Sequence, residues 1–218
     1  MTAFVKMILP YIFCGMTAYL SGSVNFAWLI AKRKGFDIRT KGSGNAGTTN
    51  AGRTMGLAVG GAVFALDVIK AAAVVFMAGY FFSGSPAIQT VTAACCVLGH
   101  LYPFYLDFRG GKGVAVLLGS ALALDWRVFL VMLVGIGLIL LLTDYMFIAT
   151  LTAAVGYWLW YYFSGKSIAD LAVLLGIVAL IFWKHRSNFT RFFAGKENRM
   201  GISIFRKRNR AAEDGKSQ

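Results

Sequence analysis

The chain has 218 residues, of which 58% are hydrophobic and only 14% charged. Soluble domains run nearer half apolar and a quarter charged, so the composition excludes an ordinary water-soluble globule and indicates a membrane protein of single-domain size. Lys and Arg number 22 against 9 Asp and Glu, a net charge of +13. In this setting the excess is read as the positive-inside bias plus attraction to anionic lipid. Nucleic-acid binding is not expected, because it would need a soluble basic module.

The first apolar stretch, 5–31, lacks a small-residue cleavage site and runs straight into a basic loop, so it reads as a retained helix. Further candidate spans are 56–82, 87–107, 114–124, 128–143, 146–163 and 168–184, measured against the roughly 20 apolar residues that cross a bilayer. The fourth is short, about 16 Å by the helical rise. The expectation is an all-α, polytopic membrane bundle of seven transmembrane helices, with five helices plus a re-entrant hairpin at 114–143 as the alternative. Lys32, Arg33, Lys34, Arg39, Lys41 and Arg53 precede the second span, Arg109 and Lys112 the fourth, and Lys184, Arg186, Arg191, Lys196 and Arg199 follow the last. The opposite side holds only Lys6, Arg127 and Lys166. This bias puts the N-terminus outside and the C-terminus in the cytoplasm. Residues 1–205 form one integral-membrane domain, and 206–218 a basic cytoplasmic tail expected to be disordered. Cys14, Cys95 and Cys96 lie in apolar surroundings, odd in number and two of them adjacent, which argues against a disulfide framework or a metal site.

Three polar segments interrupt the apolar runs, all on the face assigned to the cytoplasm. In G42-S-G-N-A-G-T-T-N-A-G-R53, glycines allow close backbone approach to an anion, the hydroxyls and amides of Ser43, Asn45, Thr48, Thr49 and Asn50 donate hydrogen bonds, and Arg53 can grip phosphate bidentately. It lacks Walker A spacing. In F108-R-G-G-K-G113, Lys112 stands between glycines ahead of the apolar run at 114, so its charge and the helix dipole can act on one anion. The plain alternatives are a flexible linker and a snorkelling interfacial lysine. In W183-K-H-R-S-N-F-T-R191, followed by G195-K-E-N-R199, His185 and Asn188 are three apart and share a face if the last helix continues. His100 alone reads as a helix-end packing or hydrogen-bonding residue. Asp67 and Lys70, three apart inside a span, would each cost about 2.5–3.5 kcal/mol at the bilayer centre, so a structural ion pair is expected, with a site role as the alternative.

Together these motifs resemble the acyl-phosphate:glycerol-3-phosphate acyltransferase family (PlsY) of bacterial membranes, from the first loop to Gly201. They are joined by D67-V-I-K70 and G99-H-L-Y-P-F. The resemblance implies a small helical bundle whose three motifs build an active site at the cytoplasmic face of the inner membrane. It implies transfer of a fatty acyl group from acyl phosphate to the sn-1 hydroxyl of glycerol 3-phosphate, with no cofactor and no metal. Carried over by position, Ser43, Arg53, His185 and Asn188 are catalytic. Asn45, Thr49, Asn50, Gly110, Gly111, Lys112, Gly113 and Thr150 bind substrate, while Asp67, Lys70 and Glu197 are structural. The chain departs from the family pattern at Ala46, where Pro is usual, Thr48, where Ala is usual, and Phe147, where Ser is common. The implied partners are glycerol 3-phosphate, acyl phosphate, membrane lipid, and the acyl-phosphate-producing enzyme that hands over the donor. The rival classes are a transporter for a phosphorylated solute, which would want a midplane site and breaks repeated in two halves, and a lipid-phosphate phosphatase.

Overall fold

Each apolar run becomes helix, because a backbone in lipid must satisfy its own hydrogen bonds. In a computed structural model that describes residues 3–83 and 85–202, the helices are α1 (Ala3–Ser23), α2 (Phe26–Arg33), α3 (Thr48–Met55), α4 (Leu57–Phe81) and α5 (Pro86–Leu101). They continue as α6 (Val114–Leu124), α7 (Trp126–Thr143), α8 (Met146–Phe163), α9 (Ile168–Lys184) and α10 (Arg186–Phe193). No strand occurs among the described residues. The basic tail expected at 206–218 lies outside them.

Polar caps mark where several helices begin. Asn25 Oδ1 accepts from Trp28 N at 2.8 Å and starts α2 after a break in the first apolar run. Asp125 does the same for α7, and Ser167 exchanges hydrogen bonds with Asp170 at the start of α9.

The core lies among α5, α6, α8 and α9, with Leu117, Leu118, Tyr157, Tyr161 and Ile181 fully buried. Outward faces are apolar too: Phe13, Met16 and Leu20 on α1, Phe76, Met77 and Tyr80 on α4, and Val131, Val134 and Leu138 on α7 are exposed. An apolar outside over an apolar inside is the mark of a bundle solvated by lipid. Small residues let the helices approach closely. A Cβ on Gly22 of α1 would lie 2.0 Å from the Cys96 carbonyl oxygen of α5, and one on Gly99 of α5 would lie 2.1 Å from that of Tyr19.

By length and apolarity alone, fewer helices qualify as spans than the seven expected. Among the described residues, five helical segments are long and apolar enough to cross a membrane: Met7–Arg33, Leu57–Phe81, Pro86–Leu106, Trp126–Thr143 and Met146–Phe163. A sixth arises if Ile168–Lys184 and Arg186–Phe193, bent by 44°, form one span. The remaining candidate, α6, has 11 residues and is buried along most of its length. Its apolarity comes from packing inside protein, so it needs no bilayer-length run. α7 is a full-length helix of 18 residues, so 114–143 pairs a short buried helix with a long peripheral one.

Candidate active site

The first polar loop is built around Asn50, at 0% exposure on the first turn of α3. Its Oδ1 accepts from Ser43 N at 2.8 Å, and its Nδ2 donates to the carbonyls of Ile38 (3.2 Å) and Lys41 (3.0 Å). Expected to bind substrate, Asn50 borders the cleft, yet its amide oxygen and both amide hydrogens have backbone partners within its own loop. Gly42 (φ 60°) and Gly44 (φ 72°) adopt the left-handed conformation that lets the chain wrap this side chain. Arg39 ties the loop to its neighbour, gripping Asp37 through Nε and NH2 while NH1 donates to Leu106 O at 2.8 Å. That pairing holds the Asp37 carboxyl below its ordinary pKa.

The second loop lies on the end of α5. Gly110 N donates to Leu101 O (3.1 Å) and Gly111 N to His100 O (3.0 Å). Side chains are excluded there: a Cβ on Gly110 would be 2.0 Å from His100 O, and one on Gly111 2.1 Å from His100 Nε2. Gly113 (φ 86°) then turns the chain into α6.

Lys112 stands above these glycines and donates to Asn188 Oδ1. Asn188 Nδ2 donates to Glu197 Oε1 at 2.7 Å, and Arg191 Nε to Glu197 Oε2 at 2.7 Å. One chain of contacts thus joins the second motif to the third. Burial foremost, and then the charge of Arg191, lower the Lys112 pKa to about 8.

The last helix does not continue straight through the third motif, the condition under which His185 and Asn188 would share a face. His185 N is shared between the Ile181 and Phe182 carbonyls, α9 ends, and α10 departs at 44°. His185 and Asn188 still meet, because Asn188 N donates to His185 O at 2.8 Å. His185 is 3% exposed, and its Nδ1 lies 2.8 Å from Ile181 O. Since a carbonyl can only accept, Nδ1 carries the proton and Nε2 offers a lone pair. No carboxylate is paired with it among the described residues. The Asp67–Lys70 pair is present at 2.6 Å and extends to His100, whose Nδ1 is 3.2 Å from Lys70 Nζ.

These segments enclose a cleft of about 310 Å³. Of the candidate residues, Ser43, Asn45, Thr49, Asn50, Arg53, Lys112, Gly113, Thr150, His185, Asn188, Asp67 and Glu197 line it. Gly110 and Gly111 do not; they lie beneath, against His100. Lys70 is buried behind Asp67. Thr48, one of the donors expected in the first loop, lines the cleft, as do His100, Arg191 and Asn198, which the sequence left outside the site. For Arg191, one turn beyond Asn188 on a polar helix, spacing was a usable signal. Apolar side chains line it too: Phe64 from α4, Leu118 from α6, Leu133 and Ile136 from α7, and Phe147 from α8.

A helical membrane bundle with a cleft lined by cationic and apolar side chains together defines an integral membrane protein suited to amphiphilic phosphorylated ligands. The profile of the glycerol-3-phosphate acyltransferase family matches residues 12–195. A glycerol-3-phosphate acyltransferase of Aquifex aeolicus is 39% identical over 86% of this chain and 98% of its own length. One of Thermotoga petrophila is 38% identical over 84% of this chain and 93% of its own. The crystal structure of PlsY (YgiH), an integral membrane glycerol 3-phosphate acyltransferase, in its glycerol 3-phosphate form, superposes with a TM-score of 0.83 at 38% identity. That match covers 88% of this chain and 96% of that one. A second crystal structure of the same protein, in its lysophosphatidic acid form, gives a TM-score of 0.80. The chain belongs to the glycerol-3-phosphate acyltransferase family, and is a multi-pass membrane acyltransferase.

Proposed function

We propose that this enzyme transfers a fatty acyl group from acyl phosphate to the sn-1 hydroxyl of glycerol 3-phosphate, giving 1-acylglycerol 3-phosphate and inorganic phosphate. The observation that carries the reading is the convergence of three cation- and glycine-bearing motifs on one cleft that is also lined by apolar side chains. Two phosphate-bearing reactants suit the cationic side chains, and an acyl tail suits Phe64, Leu118, Leu133 and Ile136.

The hydroxyl oxygen attacks the acyl carbonyl carbon, the carbon–oxygen bond to phosphate breaks, and phosphate departs with both bonding electrons. An acyl phosphate is already activated, so the protein's work is to place two anions together and offset their repulsion. Arg53 and Lys112 supply charge, assisted by Ser43, Asn45, Thr49 and the N–H groups of the first turn of α3, which has no side-chain cap. Gly110, Gly111 and Gly113 hold Lys112 at the cleft, Thr150 borders it from α8, and Asn50 keeps the first loop in shape. His185 Nε2 accepts a hydrogen bond from the glycerol hydroxyl and Asn188 keeps that group in line. With no carboxylate behind the imidazole, the proton passes to a phosphate oxygen of the substrate. Glu197 acts structurally, by orienting Asn188.

The basic residues around the cleft support a cytoplasmic site, an outside N-terminus and a place in the bacterial inner membrane. In this topology the seven apolar segments make seven crossings, the short α6 completing one of them inside the protein, and all lie within one domain ending near residue 205. Acyl phosphate reaches the cleft from the lipid side or by handover from the enzyme that makes it. The test is phosphate release from palmitoyl phosphate by purified protein. Release that depends on glycerol 3-phosphate supports the transferase, and equal release without acceptor refutes it in favour of a phosphatase.

A further inference from the structure

The scheme above leaves unused a buried ionic cluster in which Asp67 and Lys70 of α4 meet His100 at the end of α5. Lys70 Nζ lies 2.6 Å from Asp67 Oδ1, 2.6 Å from Val24 O and 3.2 Å from His100 Nδ1. An ammonium has three hydrogens to give and no lone pair, so these three partners use it fully and His100 Nδ1 is the acceptor. The ring is therefore the tautomer protonated at Nε2.

That Nε2 edge faces the glycine loop. The site of a Gly111 Cβ is 2.1 Å from His100 Nε2 and 3.0 Å from Ala46 O. The His100 carbonyl meanwhile accepts from Gly111 N at 3.0 Å. One residue thus holds the loop by both backbone and ring, immediately before Lys112. Ala46 O also accepts from Asn25 Nδ2 at 2.9 Å, so the first motif is registered against the same point. His100 is 3% exposed and borders the cleft.

We propose that His100, locked in one tautomer by Lys70 and Asp67, is a positioning residue that sets where the 110–113 loop lies and hence where Lys112 meets the acceptor's phosphate. This rests on the assignment of glycerol 3-phosphate as acceptor. A side chain present only to fill space would need no fixed tautomer, and an ion pair alone would need no ring against a glycine. The acyl phosphate, held by other groups, should be indifferent to the ring.

Two variants separate these roles. His100→Asn keeps an oxygen within reach of Lys70 but has no atom at the Nε2 position, whereas His100→Gln restores an amide N–H near Gly111. In lipid-reconstituted full-length enzyme, His100→Asn should raise KM for glycerol 3-phosphate by about tenfold, since small misplacements of binding groups cost that much or more. KM for palmitoyl phosphate should stay within about twofold of the parent value. Backbone amide exchange across 108–115 should quicken, and His100→Gln should recover most of the acceptor KM. The proposal is overturned if both KM values rise together, if Gln is no better than Asn, or if neither variant yields folded protein. A parent enzyme that makes no lysophosphatidic acid would instead defeat the acceptor assignment. In that case the exchange readout, which needs no turnover, still decides, and unchanged exchange in His100→Asn refutes the positioning role.

Discussion

Lys112 gives the sharpest quantitative test of the site, because its environment sets both its binding role and its pH response. The ammonium is half-buried, donates to Asn188 Oδ1, and has a pKa lowered by desolvation to about 8. Removing it as Lys112→Ala deletes a charge-assisted hydrogen bond to the acceptor's phosphate, worth about 1.5–3 kcal/mol, or roughly one to two decades in KM. The fold should not suffer in proportion. A lysine whose folded-state pKa lies below its unfolded value is a destabilising element at pH below about 8, and that penalty fades as pH rises towards the unfolded pKa. The melting temperature of Lys112→Ala at pH 7 should therefore match or exceed that of the parent. The same pKa predicts a pH signature. Between pH 7 and 9 the protonated fraction falls from about nine-tenths to about one-tenth, so KM for glycerol 3-phosphate should climb nearly tenfold. The substrate does not confuse the reading, since a phosphate monoester with a second pKa of about 6 is dianionic throughout. Lys112→Arg, whose charge persists at all these pH values, should show a flat KM profile whatever its absolute value. The assay is initial-rate phosphate release with the non-enzymatic hydrolysis of acyl phosphate subtracted. A parent KM that is level from pH 7 to 9, together with an unaltered KM in Lys112→Ala, would refute the placement of Lys112 on the acceptor.

Glu197→Ala should lower both turnover and thermal stability. It strips Asn188 and Arg191 of a shared, 7%-exposed carboxylate, and breaking such a network costs about 3–5 kcal/mol; normal melting with normal turnover would contradict that role. Asn50→Ala should unpin the first loop, costing roughly 1–3 kcal/mol and raising KM for both substrates; protease sensitivity at 38–50 reports the loosening directly. Gly22→Ala should lower the melting temperature, because its Cβ would meet the α5 backbone at the Cys96 carbonyl; an unchanged melting temperature would contradict the close packing of α1 on α5. His185→Ala and Asn188→Ala should each reduce turnover severely, and the double variant should be little worse than either; full additivity in kcat would mean the pair does not act as a unit.

The chemistry was legible in the sequence for a physical reason. Polar, glycine-rich and basic stretches are costly within lipid, so Ser43 to Arg53, Lys112 and His185 with Asn188 stand out against apolar runs, and the fold brings them to one cleft. What stayed hidden depends on packing across distance. α6 is apolar all round, and sequence cannot tell a helix buried in protein from one facing lipid. The bend at His185 falls where its backbone N–H is shared between the Ile181 and Phe182 carbonyls, and no Gly or Pro marks it in the sequence. Asn50 looked like a substrate ligand by residue type, but its amide is occupied by three backbone groups that only the folded loop presents. The Asp67–Lys70 pair could be read from spacing, whereas its link to His100, thirty residues further on, required the packing of α4 on α5.

The most direct test is product analysis with labelled acceptor. Purified enzyme receives palmitoyl phosphate and glycerol 3-phosphate carrying ¹⁸O at the sn-1 hydroxyl, and both products are weighed by mass spectrometry. Attack of that hydroxyl on the acyl carbonyl puts the label in the ester of 1-acylglycerol 3-phosphate and leaves the released phosphate unlabelled. No acylglycerol 3-phosphate, or formation at an equal rate from palmitoyl-CoA free of acyl phosphate, would contradict the assigned reaction.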